Sequence, residues 1–112
     1  MLIDDILAED DRPIVEVKTP EWKCGKVYVR SLSALELIGM EDAAGADATP
    51  EGRLAIQLSI YLCDEKGDRI CNLEQGKALA RKSANAVRRI LTAGNKLNGR
   101  SEAEQEEIKG KS

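Results

Sequence analysis

Apolar and polar residues alternate with period two over two short stretches near the start of the chain. The first stretch begins at Ile14, the pattern breaks from Pro20 to Gly25, and alternation resumes through Val27 and Val29. Successive side chains of a strand point to opposite faces of a sheet, so both stretches are predicted to be half-buried strands. The sequence therefore predicts a β-hairpin over residues 13–31.

Most of the remaining chain has apolar residues at helical spacing, with capping signals at the predicted helix starts. Residues 1–11 predict a short acidic helix with an apolar face, which is too short to be stable unless it packs against something. Residues 33–98 predict three to four helices. Their start signals are the capping box of Ser33 and Glu36, that of Asn72 and Gln75, and the N-cap Ser83.

The spacing of apolar residues leads to two further predictions for the helical part. Leu35, Ile38 and Met40 are the candidate inward positions of the first long helix. Residues 54–62 fit a strand and a helix equally well by periodicity, but the preceding Pro50 and Glu51 favour a helix.

These elements predict an α+β fold in which an N-terminal β-hairpin packs on a small bundle of three to four helices. At 112 residues the chain has the length of one domain. We expect residues 1–100 to form that domain and residues 101–112 to form an acidic C-terminal tail that frays.

The composition predicts a thin core. There is no Phe, one Trp and two Tyr, although aromatic side chains contribute most to buried area. Two interpretations stay open: some apolar surface is completed by a partner or by self-association, or the chain is a monomer of modest stability.

Charge is arranged in blocks, although the net charge is only −3. Residues 1–11 contain five acids and no base, residues 76–100 contain seven bases and no acid, and the tail is acidic again. Opposite blocks of this kind attract each other, within a chain or between copies.

The residue types present argue against catalysis, metal binding and membrane insertion. The chain has no histidine for acid–base chemistry near neutral pH, and its three cysteines lack the spacing of a zinc site. Reduced thiols, no cofactor and no metal are therefore expected. No apolar run approaches the ~20 residues of a membrane helix. The basic block lacks interleaved aromatic residues, so a solvated or protein-docking face is favoured over nucleic-acid binding.

The order and spacing of several short motifs resemble those of the tail assembly chaperones of long-tailed bacteriophages and prophages. The resemblance covers nearly the whole chain. Its first part consists of Glu21-Trp22, Gly25, Val27, Val29-Arg30, Leu32-Ser33 and Glu36. Its second part consists of the run from Asp64 to Gly67, then Leu79, Ala84, Val87, Ile90 and Leu97-Asn98-Gly99.

This resemblance implies a non-enzymatic protein that binds the tape measure protein, keeps it soluble and helps to recruit tail tube protein. It implies action in the bacterial host cytoplasm and absence from the mature virion. Self-association is expected as well. The alternatives are a small DNA- or protein-binding regulator of a mobile element, or a minor structural tail protein.

Six residues are candidates for partner binding: Trp22, Tyr28, Arg30, Arg88, Arg89 and Leu97. Trp22 is either an exposed anchor or a cap on the core of the hairpin, and the second interpretation is favoured because Trp is highly buried on average. Arg30 is expected to form a surface salt bridge with Glu36 or another acid.

Overall fold

The computed structural model describes residues 1–47 and 49–100, so the predicted tail at 101–112 lies outside the described residues. The described part contains one three-stranded antiparallel sheet and five helices, which confirms the predicted α+β class. In chain order the elements are α1 (Leu2–Ala8), β1 (Ile14–Thr19), β2 (Gly25–Arg30), α2 (Ala34–Ala46), α3 (Pro50–Tyr61), β3 (Leu62–Cys63), α4 (Leu73–Leu79) and α5 (Ala84–Leu97).

The predicted hairpin is present as β1 and β2. Its register places Val15 opposite Val29 and Val17 opposite Val27, which puts these four valines on one face of the sheet. The amide of Gly25 donates to the carbonyl of Trp22 at 3.0 Å, and Gly25 has a φ of +73°, a value that glycine adopts without strain.

The third strand, β3, was not predicted. It has only two residues, and it pairs with β2 so that Tyr28 faces Cys63 and Val29 faces Leu62. A turn follows it, in which the Asp64 carboxylate accepts from the amides of Lys66 and Asp68. The strand order β1-β2-β3 leaves β1 at an edge of the sheet.

Helix α2 begins with the predicted capping box: the Ser33 hydroxyl accepts from the Glu36 amide, and the Glu36 carboxylate accepts from the Ser33 amide, both at 3.1 Å. The predicted inward positions are only partly right. Met40 is buried, but Leu35 is 82% exposed and Ile38 is 57% exposed. The helix packs on α3 by the side that carries Met40, and the opposite side meets solvent.

The ambiguous segment 54–62 is helical up to Tyr61, as favoured, and only Leu62 belongs to a strand. Thr49 caps α3 by accepting from the Gly52 amide at 3.0 Å. The buried residues Ala55, Leu58 and Tyr61 recur every three positions, so α3 presents one face to the core.

Helix α5 packs against α3 and against the valine-bearing face of the hairpin, which we call the inner face. The core between them is aliphatic apart from Tyr61. Its most deeply buried large side chains are Tyr61, Met40, Leu58, Ile90 and Val29.

Helix α1 is present as predicted, but it does not pack into the domain. Every residue from Met1 to Pro13 is exposed, including the apolar side chains of the helix. No helix of the described part is long and apolar enough to cross a membrane.

Candidate partner-binding surface

A shallow apolar groove lies between the start of β1 and the last turns of α5. Its walls are Val15, Ala93, Lys96 and Leu97, and its volume is about 380 Å³. Only Lys96 brings charge to this lining.

The groove exists because the apolar row of α5 continues beyond the part that the core covers. Val87, Ile90 and Gly94 are buried, whereas Ala93 and Leu97 are only half-buried. Residues three and four apart lie on one side of a helix, so Ala93, Lys96 and Leu97 project together. Ala93 and Leu97 therefore leave apolar side-chain surface uncovered beside Val15.

The bases of residues 76–100 are used in two ways. Four of them pair with acids of the same chain: Lys77 with Glu74, Arg81 with Glu51, Arg89 with Glu21, and Arg100 with Glu41. The other three, Lys82, Arg88 and Lys96, are exposed and form no ion pair within residues 1–47 and 49–100, and the last two of them lie on α5. Of these unpaired bases only Lys96 lies in the lining of the groove, so the groove carries one positive charge that is free to meet an acidic partner.

Besides Arg88, the predicted site residues Arg89 and Leu97 lie on α5, and these two have different roles. Leu97 lines the groove. Arg89 instead ties the hairpin to α5: it donates from Nε to the Lys18 carbonyl at 3.1 Å and pairs with the Glu21 carboxylate. The hydrogen bond from Arg89 lowers the pKa of Glu21.

Trp22 and Tyr28 lie away from the groove. Trp22 is half-buried and packs against the core, as favoured from the sequence. Tyr28 lies on the outer face of the sheet, opposite Glu16, and the Lys26 ammonium lies 5.8 Å from the centre of its ring. The six candidates therefore do not form one continuous surface.

Arg30 pairs with Glu36 as predicted, but the expectation of a surface salt bridge is wrong, because Arg30 is only 8% exposed. Its Nη1 donates to the Glu36 carboxylate at 2.8 Å, and its Nε donates to the Ile60 carbonyl at 2.8 Å. Arg30 thus joins β2, α2 and α3 from inside the protein.

Two opposing effects act on the pKa of Glu36. Burial raises it, but the hydrogen bonds from the Ser33 amide and from Arg30, together with the positive charge of Arg30, outweigh burial. The net result is a pKa below the ordinary value of 4.5.

Asn98 has a structural role that sequence reasoning missed. Asn98-Gly99 follows the end of α5 as a stop signal, and Gly99 has the left-handed φ of +69°. In addition, the Asn98 side chain accepts from the Leu32 amide at 2.7 Å and donates to the Gly94 carbonyl at 2.8 Å. No local signal marks this contact, because its partners are 66 residues apart in the chain.

A second, polar cleft of about 320 Å³ lies on the outer face of the sheet. Both signs of charge line it, through Asp10, Arg12, Arg30, Lys66 and Asp68. Because these charges are nearly balanced, the cleft has no strong preference for an anion or a cation. Asp10 and Arg12 form part of its wall, so the segment that joins α1 to β1 runs along this cleft.

The cysteines are free thiols: Cys24 is exposed, whereas Cys63 and Cys71 are buried. Burial raises the pKa of the Cys63 and Cys71 thiols, which makes them poorer nucleophiles at neutral pH. Within the described residues no group of three or more Cys, Asp or Glu side chains is placed to hold a metal ion.

No protein-family model and no curated protein matches this chain. Among solved structures, the tail assembly chaperone of bacteriophage HK97 is similar, with a TM-score of 0.53 and 16% sequence identity. The similarity covers 86% of this chain and 96% of the HK97 chain, so it extends over the hairpin and the helical part together. The resemblance first indicated by short motifs is therefore confirmed as a structural relationship: this chain shares the fold of the HK97 tail assembly chaperone.

Proposed function

We propose that this chain is a tail assembly chaperone that binds the tape measure protein of a long-tailed phage or prophage, keeps it soluble and helps to recruit tail tube subunits. The observation that supports the proposal most strongly is the fold shared with the HK97 tail assembly chaperone over nearly the whole of both chains. The apolar groove supplies a place for a client. The protein would act in the bacterial host cytoplasm and be absent from the finished virion.

The groove suits a helical client with an apolar stripe. A tape measure protein is expected to be long and largely helical, and an uncovered apolar stripe promotes aggregation. In helix-in-groove recognition a few anchors at spacings of three and four enter an apolar groove. Val15, Ala93 and Leu97 provide the apolar walls for such anchors, and Lys96 provides a positive rim.

A groove of this size binds weakly when it acts alone. A stable protein interface buries about 1,200 to 2,000 Å² in total, which is much more than four lining residues offer. Many copies along one long client would overcome this weakness through avidity. The proposed mechanism is therefore a coat of many weak contacts, each of which is easily released when the tail tube replaces the chaperone.

Recruitment of tail tube subunits requires a surface that stays free while the groove is filled. The outer face of the hairpin, which carries Tyr28 and Lys26, lies on the opposite side of the sheet from the groove. We assign tube recruitment to that face.

Co-expression with the tape measure protein from the same genome tests the proposal. We expect this chain to raise the soluble fraction of the tape measure protein and to co-purify with it. Ala93→Gln, which fills the groove, is expected to abolish both effects. Ala43→Gln makes the same change at an exposed position of α2 outside the groove lining, so it is the matched control and should behave as the unchanged protein.

The outcome that contradicts the proposal is a tape measure protein whose solubility does not depend on this chain. A second measurement separates a chaperone from a structural component. Purified phage particles are examined by mass spectrometry, and abundant peptides of this chain in the particles would contradict the chaperone role.

A further inference from the structure

We propose that helix α1 of a second copy of this chain binds in the groove formed by Val15, Ala93, Lys96 and Leu97. Copies would then self-associate through an N-terminal arm, defined here as residues 1–11. The proposal shares its groove with the proposed function, but it concerns a different occupant and is tested without any tape measure protein.

The arm carries an apolar stripe that nothing covers. Leu2 is 73% exposed and Leu7 is 75% exposed, and Ile3 and Ile6 on the same side are also exposed. A helix of seven residues is marginal in water unless its apolar face is buried. The arm therefore gains stability by docking, which makes it a segment suited to occupy a groove.

The charges of the arm and of the groove are complementary. The arm contains Asp4, Asp5, Glu9, Asp10 and Asp11 and no base. These acids form no ion pair within the part of the chain that the structure describes, and the same is true of Lys96 in the lining of the groove. Docking the apolar stripe of α1 into the groove would bring these unpaired acids to the Lys96 ammonium.

The path of the chain makes the arm of a second copy a better occupant of the groove than the chain's own arm. Asp10 and Arg12 run along the cleft on the outer face of the sheet, and Arg12 lies 3.5 Å from the Glu36 carboxylate. The Pro13 carbonyl then accepts from the Ser31 amide at 2.9 Å. The groove lies on the inner face, so a chain's own arm would have to release Arg12 and cross the edge at β1. An arm from a second copy meets no such obstacle.

The arm and the groove are different patches of one molecule, so each contact joins unlike surfaces. Two copies that exchange arms form two such contacts, and the area buried doubles. One arm offers well under the ~1,200 Å² of a standard interface, so we expect association that depends strongly on concentration.

Sedimentation velocity of the full chain over a wide concentration series tests the inference. The unchanged protein is expected to increase in mass with concentration. Asp4→Lys/Asp5→Lys and, separately, Lys96→Glu are each expected to weaken self-association about tenfold or more, a change of about 1.4 kcal/mol. Asp42→Lys makes the same acid-to-base change at an exposed position of α2, and it should leave association unchanged.

The combined variant Asp4→Lys/Asp5→Lys/Lys96→Glu distinguishes direct pairing from a general effect of charge. Restored association supports the arm-in-groove contact. A monomer at all concentrations, association that survives removal of residues 1–9, or failure of the combined variant to restore association would each overturn the inference. None of these outcomes bears on binding of the tape measure protein, which is measured separately.

Discussion

At the scale of single residues, the packing of α5 on α3 depends on the absence of a side chain at Gly94. A Cβ atom built at Gly94 would lie 2.4 Å from Cδ2 of Tyr61, closer than side chains approach. Tyr61 is itself fixed, because it is buried and its hydroxyl donates to the Asn95 side chain at 2.7 Å. Gly94 belongs to the buried row of α5, and its distance from Tyr61 shows why no larger residue fits there.

Gly94→Ala is therefore expected to lower the free energy of unfolding by about 1 to 3 kcal/mol through overpacking. Gly39 is the matched control, since it is also helical and has no atom within 4 Å of an added Cβ. Gly39→Ala should raise the free energy of unfolding by about 0.5 to 1 kcal/mol through helix propensity. Urea denaturation measures both, and changes of the same sign would contradict this account.

Glu36 allows a test of pH dependence. Its lowered pKa means that the folded state holds the ionised carboxylate more strongly than the unfolded state does. This stability is present above the ordinary value of 4.5 and is lost as the pH falls through the lower folded value. Glu36→Gln keeps a residue that suits a capping box but removes the charge that faces Arg30.

We expect Glu36→Gln to cost about 1 to 3 kcal/mol at neutral pH, because a charge-assisted hydrogen bond to a buried guanidinium is weakened. The difference from the unchanged protein should shrink as the pH is lowered below about 4.5. Urea denaturation across a pH series measures it. A difference that is independent of pH would mean that the charge of Glu36 does not contribute to stability.

At the scale of elements, what the sequence predicted well was local. The caps at Ser33, Asn72 and Ser83 each depend on a residue three positions away, and the hairpin depends on two strands that are neighbours in the chain. The two-residue strand β3 was missed because it exists only through pairing with β2, some 34 residues earlier.

The inward face of α2 shows a different limit. Apolar spacing identified Leu35 and Ile38 as core positions, but the only side of α2 that meets α3 is that of Met40 and Ala44. Periodicity shows which residues share one face of a helix. It does not show which face packs against another element. The same limit applies to the candidate site: Arg30 was chosen by its residue type, and its contact with the Ile60 carbonyl depends on tertiary packing.

Helix α1 yields a prediction of its own at this scale. None of its residues is buried, so removal of residues 1–9 should leave the melting temperature of the domain almost unchanged. Arg12 and its contact with Glu36 remain in the shortened chain. Differential scanning calorimetry at low protein concentration measures this, and a large fall in the melting temperature would show that α1 packs on the domain in solution.

At the scale of the whole molecule, the domain combines a small aliphatic core with apolar residues left at its surface. Leu2, Leu7, Leu35 and Ile38 are exposed in the described structure, and the groove beside α5 remains open. The chain has few aromatic residues with which to build its core, and yet these apolar side chains remain exposed. Exposed apolar residues of this kind are typical of a protein that buries them against a partner.

The most direct test of the proposed function is hydrogen–deuterium exchange of this chain, alone and saturated with soluble fragments of the tape measure protein. We expect the fragments to slow exchange in the last turns of α5 and at the start of β1, which form the groove. The outer face of the hairpin around Tyr28 should exchange as before. Fragments that bind but slow exchange only outside the groove, or that leave every segment unchanged, would contradict the account.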